Sequence, residues 1–155
     1  LHEYQFPDPD APSRYAWYDR VLQQGGDQFV LVNFGFTLFE RAWTLTGMEN
    51  LLLAMADDKR FVHELLDRIL EFNLGVIENA CSYDIDAMIF GDDWGMQTGL
   101  LMGPRAWAEF IERRIFDPLG MDASREAMDA IIEITQKLLK VSGSPKKKTR
   151  APASI

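Results

Sequence analysis

The sequence is poor in the residues that define several common classes of protein. Its single cysteine, Cys81, cannot form an intramolecular disulfide, so we exclude a disulfide scaffold and expect a reducing cytoplasm as the compartment. No apolar run approaches the roughly 20 residues that a membrane-spanning helix needs. The residues that follow Leu1 show no signal-peptide pattern. We therefore expect no membrane partner.

Motifs that bind metals and nucleotides are also missing. The sequence contains no Cys-x-x-Cys, His-x-Cys, Gly-x-Gly-x-x-Gly or Gly-Lys-Ser/Thr, so a zinc site, a dinucleotide site and a P-loop cannot be assembled from the residues present. We interpret His63 as a surface or hydrogen-bonded helix histidine rather than a metal ligand. Cys81 is expected to be a small buried residue rather than a nucleophile.

Basic charge is scarce and unevenly placed. The 155 residues carry 16 Lys and Arg against 24 Asp and Glu, a formal charge of −8. Four of the basic residues (Lys146, Lys147, Lys148 and Arg150) lie in a tail without acids, which leaves −12 on residues 1–141. Such an acidic body repels phosphate backbones, so we expect no nucleic-acid partner. The tail, residues 142–155, has little to bury and is predicted to be disordered.

An apolar fraction of 47%, with 12% aromatic residues, indicates a packed core. The apolar patterns predict a helix over 15–24, a strand over 28–34, helices over 48–55 and 59–80, a strand over 85–91, a helix behind Pro104 and a last helix over 124–141. Both strands are nearly continuous apolar runs, which is typical of strands buried on both faces of a parallel sheet. The order predicts an α/β fold with parallel strands alternating with helices.

Reactive groups of parallel α/β folds lie where the strands end and the loops towards the helices begin. The first such segment here is Gly35–Trp43, and the second is Gly91–Gly99. Asp92 and Asp93 come directly after the second strand, and their side chains should point in different directions. A carboxylate in this position can bind a cation, stabilise positive charge, ligate a metal or transfer a proton. The alternative is turn chemistry, in which the carboxylates accept backbone N–H bonds.

The polar pair Glu40 and Arg41 on the neighbouring segment favours a site, although a local ion pair is the alternative. We take Asp92 and Asp93 as the candidate catalytic residues. The candidate substrate-binding residues are Glu40, Arg41, Trp43, Trp94 and Gln97. No metal ligand is predicted.

Three runs resemble the uroporphyrinogen decarboxylase superfamily: Phe36–Glu49 (FTLFERAWTLTGME), Asp86–Gln97 (DAMIFGDDWGMQ) and Gly103–Ile111 (GPRAWAEFI). The resemblance implies a (β/α)₈ barrel with its site at the C-terminal mouth. Members of the superfamily include porphyrinogen decarboxylases, which use no metal or cofactor, and corrinoid-dependent methyltransferases, which use a zinc-bound thiol. The Gly-Asp-Asp-Trp-Gly form looks more like the uncharacterised or methyltransferase-like branch than like the haem-pathway enzymes.

The sequence also differs from the family pattern at specific places. A (β/α)₈ barrel takes about 250 residues, so residues 1–115 would be only a portion of one. The family's N-terminal strand, with its aspartate, and the downstream His-x-Cys segment have no counterpart. Residues 116–141, with the last predicted helix, and the tail over 142–155 resemble nothing in the family.

The resemblance implies a carboxyl-lyase without cofactor, acting on a tetrapyrrole held by Asp and Glu side chains. One alternative is a methyltransferase-like protein acting on a methylated corrinoid or thiol, with zinc and corrinoid supplied only in a longer chain. The other is an inactive fragment that acts only through oligomerisation or its basic tail. The exposed sheet edges of such a fragment favour a homo-oligomer.

Overall fold

The computed structural model of the chain describes residues 3–116. The helix expected over 124–141 and the basic tail over 142–155 lie outside the described residues. The described elements, in chain order, are a 3₁₀ turn (Pro12–Arg14), α1 (Tyr18–Gly25), β1 (Leu31–Phe34), α2 (Phe39–Thr46), α3 (Met48–Asp57), α4 (Lys59–Cys81), β2 (Ala87–Phe90), β3 (Gly95–Met96), β4 (Gly99–Leu100), α5 (Gly103–Trp107), a π-helical segment (Ala108–Glu112) and α6 (Arg113–Phe116).

The strands β1 and β2 pair in parallel, with three helices in the connection between them. The register places Leu31 opposite Ala87 and Phe34 opposite Phe90. At the start of the sheet, the Asp86 carboxylate accepts a 2.6 Å hydrogen bond from the N–H of Val30. The predicted α/β fold with parallel strands and intervening helices is therefore confirmed. The strands β3 and β4 form a separate antiparallel hairpin.

The prediction that both strands are buried on two faces is wrong for the described residues. Val32 and Met88 pack against a cluster of Tyr15, Tyr18 and Ala80 on one face of the sheet. On the other face, Leu31 is 53% exposed and Ile89 is 49% exposed. The physical reason is that the described helices cover one face of this two-stranded sheet and leave the other open.

The core lies mainly among α2, α3, α4 and the C-terminal helical segments. Asp58 begins α4 as an N-cap, because its side chain accepts a 3.1 Å hydrogen bond from the N–H of Phe61. The apolar stripe predicted for this helix is confirmed at its fully buried positions. The largest side chains that are fully buried are Leu38, Phe39, Leu51, Val62, Leu65, Leu66, Ile69, Phe110 and Ile111.

The N-terminal segment is fixed along α4 by close packing and a polar contact. A Cβ added to Gly75 would lie 2.9 Å from the Cβ and Cγ of Pro9, so the absence of a side chain lets the proline ring sit on the helix. One turn further on, the Asn79 amide donates a 2.7 Å hydrogen bond to the carboxylate of Asp10. These contacts hold the extended segment that the prolines predict.

Charged side chains connect α4 to the helical segments at the end of the described chain. Arg114 donates two hydrogen bonds, of 2.6 and 2.8 Å, to Oδ1 of Asp67. Lys59 binds Glu109 at 2.7 Å, and this hydrogen bond holds the pKa of the Glu109 carboxyl below its usual value. His63 faces both groups, with Nδ1 3.1 Å from Arg114 and Nε2 3.7 Å from Glu109. His63 is thus a hydrogen-bonded helix residue, as its sequence context predicts.

Cys81 is exposed at the end of α4, so the expectation of a buried thiol is wrong. Of the helices within residues 3–116, none has both the length and the apolar character needed to cross a membrane.

Candidate functional site

The two segments that follow β1 and β2 lie side by side at the carboxyl edge of the sheet. Gly91 donates a 3.1 Å hydrogen bond to the carbonyl of Phe34, and Thr37 donates one of the same length to the carbonyl of Gly91. A Cβ added to Gly91 would lie 3.5 Å from the Cα of Gly35, so the two backbones approach closely. The parallel register therefore brings together the two segments that contain the candidate residues.

Asp92 has its carboxylate fully engaged by three donors. The oxygen Oδ2 accepts from the N–H of Phe39 at 2.9 Å and from the indole of Trp94 at 2.6 Å, and Oδ1 accepts from the N–H of Glu40 at 2.8 Å. The backbone N–H groups of the first two residues of α2 thus donate to a side chain in the segment that follows β2. Asp92 supplies the cap that Leu38, at the N-cap position, does not provide.

The first of the two segments is partly helical. The sequence predicts a loop over Gly35–Trp43, but α2 already begins at Phe39, so the second half of the segment is helical. Glu40 and Arg41 consequently lie in the first turn of a helix. A carboxylate at a helix N-terminus also interacts favourably with the helix dipole, which adds to the hydrogen bonds of Asp92.

Asp93 has a different environment from its neighbour. It is exposed, and its Oδ1 accepts a 3.1 Å hydrogen bond from the N–H of Gly95, in the manner of an Asx turn. The other carboxylate oxygen has no hydrogen-bond donor among the described residues. Of the two aspartates, Asp93 is the one whose charge faces solvent at the edge of the sheet.

Trp94 is held in one orientation by two contacts. Its indole N–H donates to Asp92, and its ring meets the ring of Trp107 edge to face, with centroids 5.7 Å apart. The indole of Trp94 is half-buried, so one part of it borders the exposed edge. Trp107 is buried, and its own indole N–H has no partner among the described residues.

The remaining candidate residues are placed around this centre rather than in it. Arg41 is exposed, and its guanidinium lies 5.9 Å from the ring centroid of Phe36, with no ion pair to Glu40 among the described contacts. Trp43 is half-buried on α2. Gln97 is exposed at the turn of the β3–β4 hairpin, and within residues 3–116 neither it nor Trp43 hydrogen-bonds to either aspartate.

Two buried polar residues that the sequence analysis did not single out form a hydrogen bond next to the site. The amide of Asn73, on α4, donates a 2.8 Å hydrogen bond to the carbonyl of Thr37, and both residues are buried. Phe36, the residue before Thr37, has a φ of 56°. This left-handed conformation costs about 1–2 kcal/mol for a residue with a side chain. Asn73 could have been noticed, because it interrupts an otherwise apolar stripe.

Metal-binding side chains do not converge in the described part of the chain. Within residues 3–116, no group of three or more His, Cys, Asp or Glu side chains is placed to hold a metal ion. The nitrogens of His63 face Arg114 and Glu109, and Cys81 stands apart at the end of α4. The described residues thus do not fit the zinc site that the methyltransferase branch would need.

Comparison with known protein families, with curated proteins and with solved structures gives no match for this chain.

Proposed function

We propose that the chain is a portion of a (β/α)₈ barrel of the uroporphyrinogen decarboxylase type, and that it acts as a carboxyl-lyase in the cytoplasm. The observation that carries the proposal is the meeting of the two polar segments at the carboxyl edge of β1 and β2. Parallel β/α enzymes bind their substrates at this edge. The exposed thiol of Cys81 is compatible with a reducing compartment.

The two aspartates have separate roles in this proposal. Asp92 is a positioning residue, because its three hydrogen bonds fix the start of α2 and the plane of Trp94. Asp93 is the catalytic residue, because its exposed carboxylate is free to approach a substrate. A carboxylate there would stabilise the positive charge of a protonated pyrrole before CO₂ leaves.

The substrate is proposed to be a tetrapyrrole with several carboxyl groups. Arg41, exposed in the first turn of α2, offers a cation to one of these carboxyl groups. The locked indole of Trp94 offers a flat apolar wall for a pyrrole ring. Glu40, Trp43 and Gln97 would border the same substrate more loosely. No cofactor is part of the proposed reaction.

The test is an anaerobic incubation of the chain with a polycarboxylated porphyrinogen, with the loss of CO₂ followed by mass spectrometry. We expect turnover by the unaltered chain and a loss of roughly 100-fold or more in Asp93→Asn, because a positioned charge contributes on this scale. Asp84→Asn is the matched control, because Asp84 is also exposed but lies before β2, at the other end of the sheet. Turnover that is absent, or equal in the two variants, would show that the proposal is wrong.

A second candidate is an inactive fragment that acts only by association, as the sequence also allows. The specific observation in its favour is the open face of the β1–β2 sheet. The two candidates differ in turnover and in self-association. A chain that releases no CO₂ from the porphyrinogen but gains mass with concentration in solution would favour the inactive fragment.

The methyltransferase alternative needs zinc and corrinoid, and the described residues offer no zinc ligands. We therefore derive no step through a metal, and this alternative depends on residues that a longer chain would supply.

A further inference from the structure

Within residues 3–116, one face of the β1–β2 sheet is apolar, uncharged and open. Side chains alternate along a strand, so Leu31 and Asn33 of β1 share this face with Ala87 and Ile89, their register partners on β2. Phe29, which is also exposed, lies two residues before Leu31 and just outside the strand. We call these five residues the open sheet face. The opposite face is the one that packs against the tyrosine cluster.

The exposure of this face is large for its size. Phe29, Leu31 and Ile89 are 72%, 53% and 49% exposed. A covered aromatic side chain buries about 150–250 Å², and an aliphatic side chain buries somewhat less, so these three leave on the order of 300 Å² of surface in water. Two such faces in contact would bury roughly 600 Å² before Asn33, Ala87 and the strand edges are counted. That area fits a weak, reversible interface rather than a permanent one.

The strands also lack the features that protect sheets from association. Neither β1 nor β2 contains a charged residue or a proline, the residue types that natural edge strands use to block pairing. In the part of the chain that the structure describes, no third strand pairs with either of them. A parallel sheet is normally covered on both faces, whereas the described helices cover only one face of this sheet.

Asn33 determines which partner suits the face. It is the only polar side chain of the open sheet face, and its exposed amide makes no hydrogen bond within residues 3–116. An amide carries both a donor and an acceptor, so two asparagines related by a two-fold axis can each donate to the other. The face itself carries no charged side chain, so it offers nothing to a charged partner and places no like charges opposite each other when it meets an identical face.

We propose that the open sheet face binds the same face of a second copy of this chain, with Asn33 paired to Asn33 across a two-fold axis. The two sheets then enclose one apolar layer, and the paired amides fix the register in the way that a single buried asparagine fixes a coiled coil. The proposal is independent of the proposed lyase activity, because Asp93 lies at the carboxyl edge and not on this face. It deepens the second candidate function, association through the open face of the sheet.

The first measurement is the mass of the chain in solution by sedimentation equilibrium over a wide range of concentration. We expect the mass to rise from one copy to two, with a dissociation constant in the micromolar range or weaker. Asn33→Asp and Asn33→Lys should each weaken the association at least tenfold, because each places two like charges together on the axis. Far-UV circular dichroism should be unchanged, since Asn33 is exposed.

The decisive step is to mix the two variants. An equimolar mixture of Asn33→Asp and Asn33→Lys pairs opposite charges across the axis, and we expect the doubled mass to return. Gln24→Glu and Gln24→Lys are the matched controls, because they make the same amide-to-charge changes at an exposed position on α1. These control variants should associate as the unaltered chain does.

Three results would overturn the proposal: a single-copy mass at every concentration, association that the Asn33 variants do not weaken, and a variant mixture that does not recover. If an Asn33 variant loses its helical spectrum, Ile89→Thr gives a second measurement. It removes apolar surface without adding charge, and it should weaken association several-fold. Unchanged association of Ile89→Thr would equally contradict the proposal.

Discussion

The carboxylate of Asp92 accepts a hydrogen bond from the backbone N–H of Phe39, 53 residues earlier in the chain. This contact joins the end of β2 to the start of α2, and it is reinforced by the second bond to Glu40. Helix caps usually come from a residue next to the helix in sequence. Here the cap comes from another element, so the local geometry of the candidate site depends on the pairing of the two strands.

The first prediction concerns this remote cap. Asp92→Ala should reduce the free energy of unfolding by about 1–2 kcal/mol, the usual cost of losing a helix cap. Urea unfolding monitored by circular dichroism at 222 nm, a standard helix signal, would measure it through the shift in midpoint. Asp93→Ala, next to it in the chain and exposed, should change stability by no more than about 0.5 kcal/mol. Equal losses in the two variants would argue against a capping role for Asp92.

The second prediction concerns the buried amide of Asn73. Asn73→Leu has a similar size but leaves the buried carbonyl of Thr37 without its donor, so we expect a loss of about 1–3 kcal/mol in the free energy of unfolding. Chemical denaturation provides the measurement. Asn50→Leu is the control, because Asn50 makes a comparable 2.8 Å hydrogen bond to Thr46 on an exposed surface. If the two variants have the same stability, the buried hydrogen bond contributes no more than the exposed one.

The third prediction concerns the proline that rests on α4. Gly75→Ala should displace the N-terminal segment, because the new methyl group would lie 2.9 Å from Pro9. Trypsin should then cleave after Arg14 several-fold faster, even though alanine favours the helix itself. In Gly25→Ala the nearest atom, Cγ2 of Val30, is 3.7 Å away, and cleavage should keep its original rate. Cleavage after Arg14 that is unaffected by Gly75→Ala would mean that the segment is not held by this contact.

The fourth prediction concerns alkaline pH. Burial raises the pKa of the Tyr18 hydroxyl above its ordinary value, so the folded chain retains this proton more strongly than the unfolded chain. The corresponding stability is fully present below pH about 10, the ordinary tyrosine pKa, and is lost as the pH rises further.

Tyr18→Phe removes this ionisable group and should shift the midpoint of alkaline unfolding to higher pH. Circular dichroism during a base titration would follow the transition. Tyr4→Phe serves for comparison, because Tyr4 is exposed and its replacement should leave the midpoint where it was. A midpoint that moves equally in both variants would rule out the burial of Tyr18 as the cause.

Local patterns were sufficient to predict the two parallel strands and most of the described helices, because each apolar stripe marks the face that a segment buries. The exception is α2, which lies in a segment predicted as a loop. The stripe of α4 and the position of Pro104 in the first turn of α5 are examples. The same patterns could not show which surfaces would be covered. The apolar run of β1 indicates that Leu31 favours burial. Whether another element packs over Leu31 depends on the tertiary structure, which local patterns do not contain.

The role of Asp92 was beyond prediction for a related reason. Its sequence context, two aspartates followed by a tryptophan and a glycine, fits both a turn and a catalytic site. Only the fold places the N–H groups of Phe39 and Glu40 within reach of its carboxylate. The separation of Asp92 from Asp93 into an engaged and an exposed carboxylate follows from the same placement.

The remote cap also has a consequence for biosynthesis. As the chain leaves the ribosome, α2 emerges about fifty residues before Asp92 does, so the first turn of this helix has no side-chain acceptor during that interval. Nor does β1 have β2 to pair with until the same stretch has been translated. Because the chain is synthesised from its N-terminus, the helices between the strands are complete before β1 and β2 can form the sheet. The candidate site therefore forms only after one of the last segments of the described chain has been translated.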